Sequence, residues 1–155
     1  HGVVAARSKL TARRGVYETP GGAILKLSVA ATSLLTAERT ALNFLGRLSG
    51  IATLTRKFVD AIAGTRAVLL DTRKTTPGYR CLEKYAVRMG GGCNHRMGLY
   101  DMAMVKDNHI DGAGSIQKAV ANVRHRFGSQ FPIEVEVKNL EELQSAIDQN
   151  VDRIM

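Results

Sequence analysis

The chain reads as an α/β enzyme built on a parallel sheet or barrel, and three features of its sequence predict this. From residue 67 onward, short apolar runs with strand rhythm alternate with helical patterns, joined by short connections. Apolar residues make up 45% of the 155, enough to bury a core and too many for a disordered tail. Cationic residues gather just after the apolar runs, at the strand ends where α/β enzymes place their sites.

The elements follow in order. Residues 15–30 read as a hairpin: Val16-Tyr17-Glu18, a Pro20-Gly21-Gly22 turn, then an alternating strand from Ala23 to Val29. Ser33 opens a long helical pattern carried by Leu34, Leu42, Leu45, Leu48, Ile51, Phe58 and Ile62, with Ser49-Gly50 as the expected break and Gly64 as the stop. Ala67-Val68-Leu69-Leu70 is an expected buried strand. A helix is predicted over 82–89, ended by Gly90-Gly91-Gly92, and a strand over 102–106. Ser115 caps a predicted helix to Phe127. A strand over 133–137 precedes a helix capped by Asn139, with Glu142 at capping-box spacing. Ile154-Met155 begins a further strand. Three and a fraction strand–helix units stand against the roughly eight of a full barrel, so the expectation is a chain cut inside its catalytic domain.

Charge narrows the function. The net charge is +8. From Arg66 to Lys106 eight Lys/Arg face three acids, a surplus of five, whereas the end of the chain turns acidic. Such a surplus suits nucleic acid or a small anionic metabolite. Aromatics are only 5%, with no Trp, which supplies few stacking platforms for single strands. Cys81 and Cys93 fit no zinc or redox spacing and read as free thiols. No apolar run approaches the roughly 18 residues of a membrane span and no secretion signal appears, so the cytoplasm is the expected compartment.

The residues that carry chemistry lie in three clusters. In Asp71-Thr72-Arg73-Lys74-Thr75-Thr76-Pro77-Gly78, Arg73 offers a planar fork for a carboxylate or phosphate, Lys74 a point charge, and the threonines hydroxyl donors. A solvated basic loop is the bland alternative. In Gly90-Gly91-Gly92-Cys93-Asn94-His95-Arg96 the glycines could bare backbone N–H groups to an anion or form a loose linker, and His95-Arg96 favour a site. Lys106-Asp107-Asn108-His109 ends a strand. Strand periodicity puts Glu134 and Glu136 on one face, where Lys106 could lie beside Glu136. Such acids are costly inside a barrel unless paired with cations or a metal. Arg73, Lys74, His95, Arg96, Lys106 and Glu136 thus concentrate within three successive units, which favours a compact metabolite with several phosphates and carboxylates over a nucleic acid.

These segments, together with Thr36-Ala37-Glu38-Arg39-Thr40-Ala41-Leu42-Asn43-Phe44-Leu45, Arg47-Leu48-Ser49-Gly50-Ile51-Ala52-Thr53 and Glu83-Lys84-Tyr85-Ala86, resemble quinolinate phosphoribosyltransferase, the carboxylating nicotinate-nucleotide pyrophosphorylase of NAD synthesis. The resemblance covers roughly Leu34 to Met155. It implies a pentosyltransferase that joins quinolinate to phosphoribosyl pyrophosphate with Mg²⁺, releasing pyrophosphate and carbon dioxide. It implies that Arg73, His95 and Arg96 grip the quinolinate carboxylates and that Arg39 reaches the same site from a neighbouring subunit of a homodimer or larger homo-oligomer. Lys74 and Lys106 would line the site, and Glu136 would serve the ribose or the metal. The implied fold is an α/β sandwich followed by an incomplete α/β barrel, with residues 1–50 as a partial sandwich domain and 51–155 as the first part of the barrel. His1 to Ala30 matches only loosely, and the family's later metal-site aspartate and glycine-rich phosphate loop fall beyond Met155. A sister transferase acting on nicotinate, or another ring with one carboxylate, is the alternative. Three candidate arginines, Arg39, Arg73 and Arg96, favour two carboxylates, and a basic nucleic-acid-binding module comes last.

Overall fold

Two antiparallel strands come first in the chain, β1 (Arg7–Leu10) and β2 (Leu25–Ser28), with Arg7 opposite Ser28 and Leu10 opposite Leu25. The computed structural model describes residues 7–10, 22 and 24–155. The strand expected over 23–29 is thus present at its centre, and its partner is Arg7–Leu10. The Val16-Tyr17-Glu18 arm of the expected hairpin lies outside the described residues.

Helix α1 (Ala31–Ala61) runs without interruption. The break expected at Ser49-Gly50 does not occur. A glycine inside a helix costs only about 0.5–1 kcal/mol relative to alanine, and the inward stripe continues in phase across it. Leu48, Ile51, Ala52 and Val59 are half-buried and Thr55 is buried, all on the face that packs against α2. The helix begins at Ala31, two residues before the expected Ser33. Gly64, at φ +84°, sits in the left-handed turn just beyond its end, as the sequence predicts.

The strand expected at Ala67-Val68-Leu69-Leu70 is reduced to a single parallel bridge between Leu70 and Cys93. It is held by Cys93 N–H to Leu69 O at 2.9 Å and Asp71 N–H to Cys93 O at 3.1 Å. Helix α2 (Arg80–Met89) follows and ends on Gly90.

By packing, the chain divides into two compact units, His1–His95 and Arg96–Met155. In the second unit a parallel sheet orders β3 (Ala103–Val105), β4 (Ile133–Val135) and β5 (Arg153–Ile154), interleaved with α3 (Asp107–Ala113), α4 (Ile116–Phe127) and α5 (Leu140–Asp148). Hydrogen bonds from Glu136 N–H to Val105 O and from Val137 N–H to Met155 O carry the ladder past the formal strand end. Val105, Ile133 and Val135 from the strands meet Ile116, Ala119, Val120 and Ala146 from α4 and α5 in one core. Both predicted caps are formed: Ser115 accepts from Lys118 N–H and Asn139 from Glu142 N–H. Glu142 returns its carboxylate to Lys138 N–H, one residue before the cap. Among the described residues no helix is long and apolar enough to cross a membrane.

Candidate active site

In the first unit, the site residues hang on Asp71. Its carboxylate accepts the Lys84 ammonium, the Asn94 side-chain amide at 2.5 Å and the His95 backbone N–H at 2.8 Å. Lys84 also donates to His95 O at 3.0 Å, and the Asn94 amide to Lys84 O at 2.9 Å. The Lys84 side chain is 1% exposed and that of Asp71 8%. An isolated charge there would be very costly, and the pair is tolerated because each partner satisfies the other.

Two residues beyond Asp71 lies Arg73. It is half-buried, and its Nε is buried without a hydrogen-bond partner among the described residues. Its carbonyl accepts from Thr75 N–H at 2.9 Å and from Arg80 Nη2 at 3.3 Å, so the loop backbone is held while the guanidinium keeps an unused donor. Lys74 is exposed, its N–H turned onto the Thr72 hydroxyl at 3.1 Å. Thr75 and Thr76, read as hydroxyl donors to a ligand, are engaged internally. Arg80 Nε donates to the Thr75 hydroxyl, and Arg47 to the Thr76 hydroxyl.

The three glycines do not form an anion-binding loop. Gly90, Gly91 and Gly92 give their N–H groups to Ala86, Arg88 and Val87 carbonyls. A Cβ on Gly90 would stand 2.4 Å from Ala52 O and 2.6 Å from Thr55 Cβ, and one on Gly92 2.9 Å from Val87 Cγ1. They are there so that the end of α2 can approach α1.

The second unit pairs Lys106 with Glu136, Nζ to Oε2 at 2.8 Å, both side chains about two-fifths exposed. This is the neighbour relation the strand register predicts. Glu134, by contrast, is buried at 3%, in register with Met104 and Arg153. Arg96 is half-buried, with Nη1 3.4 Å from Met102 O and Nη2 3.2 Å from Met104 Sδ. Lys106-Asp107-Asn108-His109 is more than a loop after a strand. It opens α3, with His109 Nδ1 accepting the Lys106 N–H at 3.0 Å. Arg39 stands exposed on α1 and makes no hydrogen bond or ion pair among the described residues.

Sequence reasoning assigned no role to Arg47 or Glu83. Arg47 Nη2 reaches Glu83 Oε1 at 2.5 Å and lies 5.8 Å from the Tyr79 ring, which stacks on Phe44. The Arg47 hydrogen bond holds the Glu83 carboxyl below its ordinary range, against a smaller opposing effect of burial and with help from Thr76. A cavity of about 560 Å³ lies at the N-terminal ends of β4 and β5, lined by Arg124, Phe131, Asn150 and Asp152 among others, and contains none of the sequence-predicted site residues.

A sequence family described as quinolinate phosphoribosyl transferase, C-terminal domain, matches residues 51–155. The chain belongs to this family. A probable carboxylating nicotinate-nucleotide pyrophosphorylase of Synechocystis sp. is 55% identical over 141 residues, covering 87% of this chain and 48% of the relative. The carboxylating nicotinate-nucleotide pyrophosphorylase of Mycobacterium leprae is 50% identical over 135 residues, 87% of this chain and 47% of its own. The crystal structure of NadC from Streptococcus pyogenes matches with a TM-score of 0.92 at 45% identity, covering 97% of this chain and 53% of that one. This chain therefore spans about half the length of the curated relatives it matches. The expected quinolinate phosphoribosyl transferase fold, mixed α/β with a parallel sheet, is the one observed.

Proposed function

We propose that this quinolinate phosphoribosyl transferase chain serves the transfer of a phosphoribosyl group from phosphoribosyl pyrophosphate to quinolinate. Carbon dioxide and pyrophosphate leave, and nicotinate mononucleotide remains. The observation that carries the reading is the buried, unpartnered Nε–H of Arg73 at the end of the Leu70 bridge. An unsatisfied buried donor costs about 1–3 kcal/mol, and a planar carboxylate is the acceptor that a guanidinium fits best.

On this reading Arg73, His95 and Arg96 bind the two adjacent carboxylates, Lys74 and Lys106 line the site with positive charge, and Lys106 lies near quinolinate and the phosphate end of the second substrate. Departure of pyrophosphate leaves an oxocarbenium-like ribose, so charge placement rather than a covalent nucleophile carries the step. Once the ring nitrogen bears the ribose and is cationic, loss of carbon dioxide from the adjacent carbon becomes easier. Among the described residues no three His, Cys, Asp or Glu converge as a metal cage. That donor set still suits Mg²⁺, which is held mainly by substrate phosphates and water with one or two carboxylates. Glu136 is the carboxylate assigned to it, and the ion would supply charge compensation to the diphosphate.

The functional assembly is a homodimer or larger, with Arg39 contributed across subunits. Support comes from α1, where Leu35, Leu42, Leu45, Leu54 and Phe58 are all exposed. Apolar surface of that extent marks an interface. Residues 51–155 supply the barrel side of the site, and residues 1–50 belong to the sandwich domain. Two free thiols suit a reducing cytoplasm.

Calorimetric titration of quinolinate tests the assignment. Arg73→Ala should weaken binding roughly 10- to 150-fold, the worth of a charged hydrogen bond of about 1.5–3 kcal/mol. Unchanged affinity would remove Arg73 from the site. Nicotinate, with one carboxylate, should bind more weakly than quinolinate, and equal binding would favour the sister transferase.

A further inference from the structure

We propose that Lys84 and Asn94, acting through Asp71, are positioning residues that hold His95 and the Arg73 loop in the geometry that grips a dicarboxylate. The proposal rests on the function argued above. Its starting point is the burial of Lys84. A lysine 1% exposed inside an otherwise amphipathic helix needs a reason. Stability does not provide one, because replacing a buried ion pair by apolar residues of similar size is often neutral or stabilising.

Geometry does provide one. The two charges clamp both polar groups of one residue: Asp71 Oδ1 accepts the His95 N–H at 2.8 Å, and Lys84 Nζ donates to the His95 carbonyl at 3.0 Å. The Asn94 amide closes the set by bridging the second Asp71 oxygen, at 2.5 Å, to the Lys84 carbonyl, at 2.9 Å. Three segments, the end of the Leu70 bridge, the inner face of α2 and the stretch at 94–95, are thereby fixed to one carboxylate. Arg73 follows that carboxylate by two residues, with its own carbonyl tied to Arg80. The Lys84 ammonium and the Asn94 amide are both occupied internally. They act through His95 and Arg73, not on the substrate.

Two variants of the full chain separate positioning from plain stability. Lys84→Met combined with Asp71→Leu removes both charges at once, leaving no unpaired buried ion, yet frees the His95 N–H and carbonyl. Asn94→Ala removes one arm and no charge, and it decides the matter if the double variant does not fold. For each, quinolinate and phosphoribosyl pyrophosphate affinities are measured by titration beside the melting temperature. Positioning predicts a loss of quinolinate affinity of roughly tenfold or more, equivalent to about 1.4 kcal/mol, with the second substrate unaffected. Quinolinate affinity unchanged in the folded variants, whatever the melting temperature does, would overturn the proposal, as would equal loss for both substrates. A wild-type chain that binds no quinolinate would remove the proposed function and this proposal with it. Binding by the wild type and by both variants alike would remove this proposal alone.

Discussion

Arg47 donates to Glu83 through Nε at 3.2 Å and Nη2 at 2.5 Å, while Glu83 Oε2 accepts the Thr76 N–H at 3.2 Å. One carboxylate thus joins α1, α2 and the loop that carries Arg73. Because these donors favour the ionised form, the folded Glu83 titrates below its ordinary value of 4.5. Its contribution to stability is complete above that value and is lost as the pH falls through the lower folded one. Thermal unfolding followed from pH 6 downward should show a loss that begins near the ordinary carboxylate range and is reduced in Glu83→Gln. Parallel acid limbs for the two proteins would show that Glu83 contributes nothing. At this scale the sequence spoke most clearly where a residue type and its position agreed. Lys106 and Glu136 end adjacent strands, so their pairing could be read from register alone. Lys84 could not be read in the same way. A lysine in a short amphipathic helix ordinarily belongs to solvent, and only the tertiary fold brings Asp71 and the backbone of His95 to its end.

Elements were legible where their rhythm was long and their ends were chemically marked. Ser115 and Asn139 cap the helices they were expected to cap, since an exposed backbone N–H and a short polar side chain need no tertiary information to meet. Helix α3 was missed because seven residues, Asp107 to Ala113, span only two turns and include Gly112. Ala67-Val68-Leu69-Leu70 has strand composition, but only Leu70 finds a bridging partner, at Cys93, so composition did not become a strand. The glycines separate into two kinds that sequence cannot distinguish. Gly50 has no atom within 4 Å of where a Cβ would stand, whereas Gly90 would meet Ala52 O and Thr55 Cβ. Gly50→Ala should therefore stabilise the chain by about 0.5–1 kcal/mol, and Gly90→Ala should destabilise it by about 1–3 kcal/mol through overpacking. Urea denaturation measures both, and effects of the same sign would mean that α1 and α2 do not pack as described.

At the scale of the whole molecule, Arg39 is the residue whose place in one chain does not explain its motif. It is exposed on α1 and has no partner among the described residues, beside leucines that are themselves uncovered. A guanidinium left in water contributes nothing that would require arginine at that position, but one delivered to another subunit's site would. In a two-fold assembly each interface occurs twice, so each site would take Arg39 from one chain and Arg73 from the other. Where the wild-type assembly turns over quinolinate, the Arg39→Ala and Arg73→Ala assemblies should then each lose that turnover. Mixing them and allowing subunits to exchange places both substitutions in one site of each hybrid and leaves the other site intact. Equal mixing makes half the dimers hybrid, each with one working site of two, so the mixture should recover about a quarter of wild-type activity. If Arg39 instead served its own chain, every site in every hybrid would lack one arginine, and exchange would restore nothing. Exchange demonstrated by two distinguishable tags, without recovered turnover, would therefore place Arg39 within its own subunit.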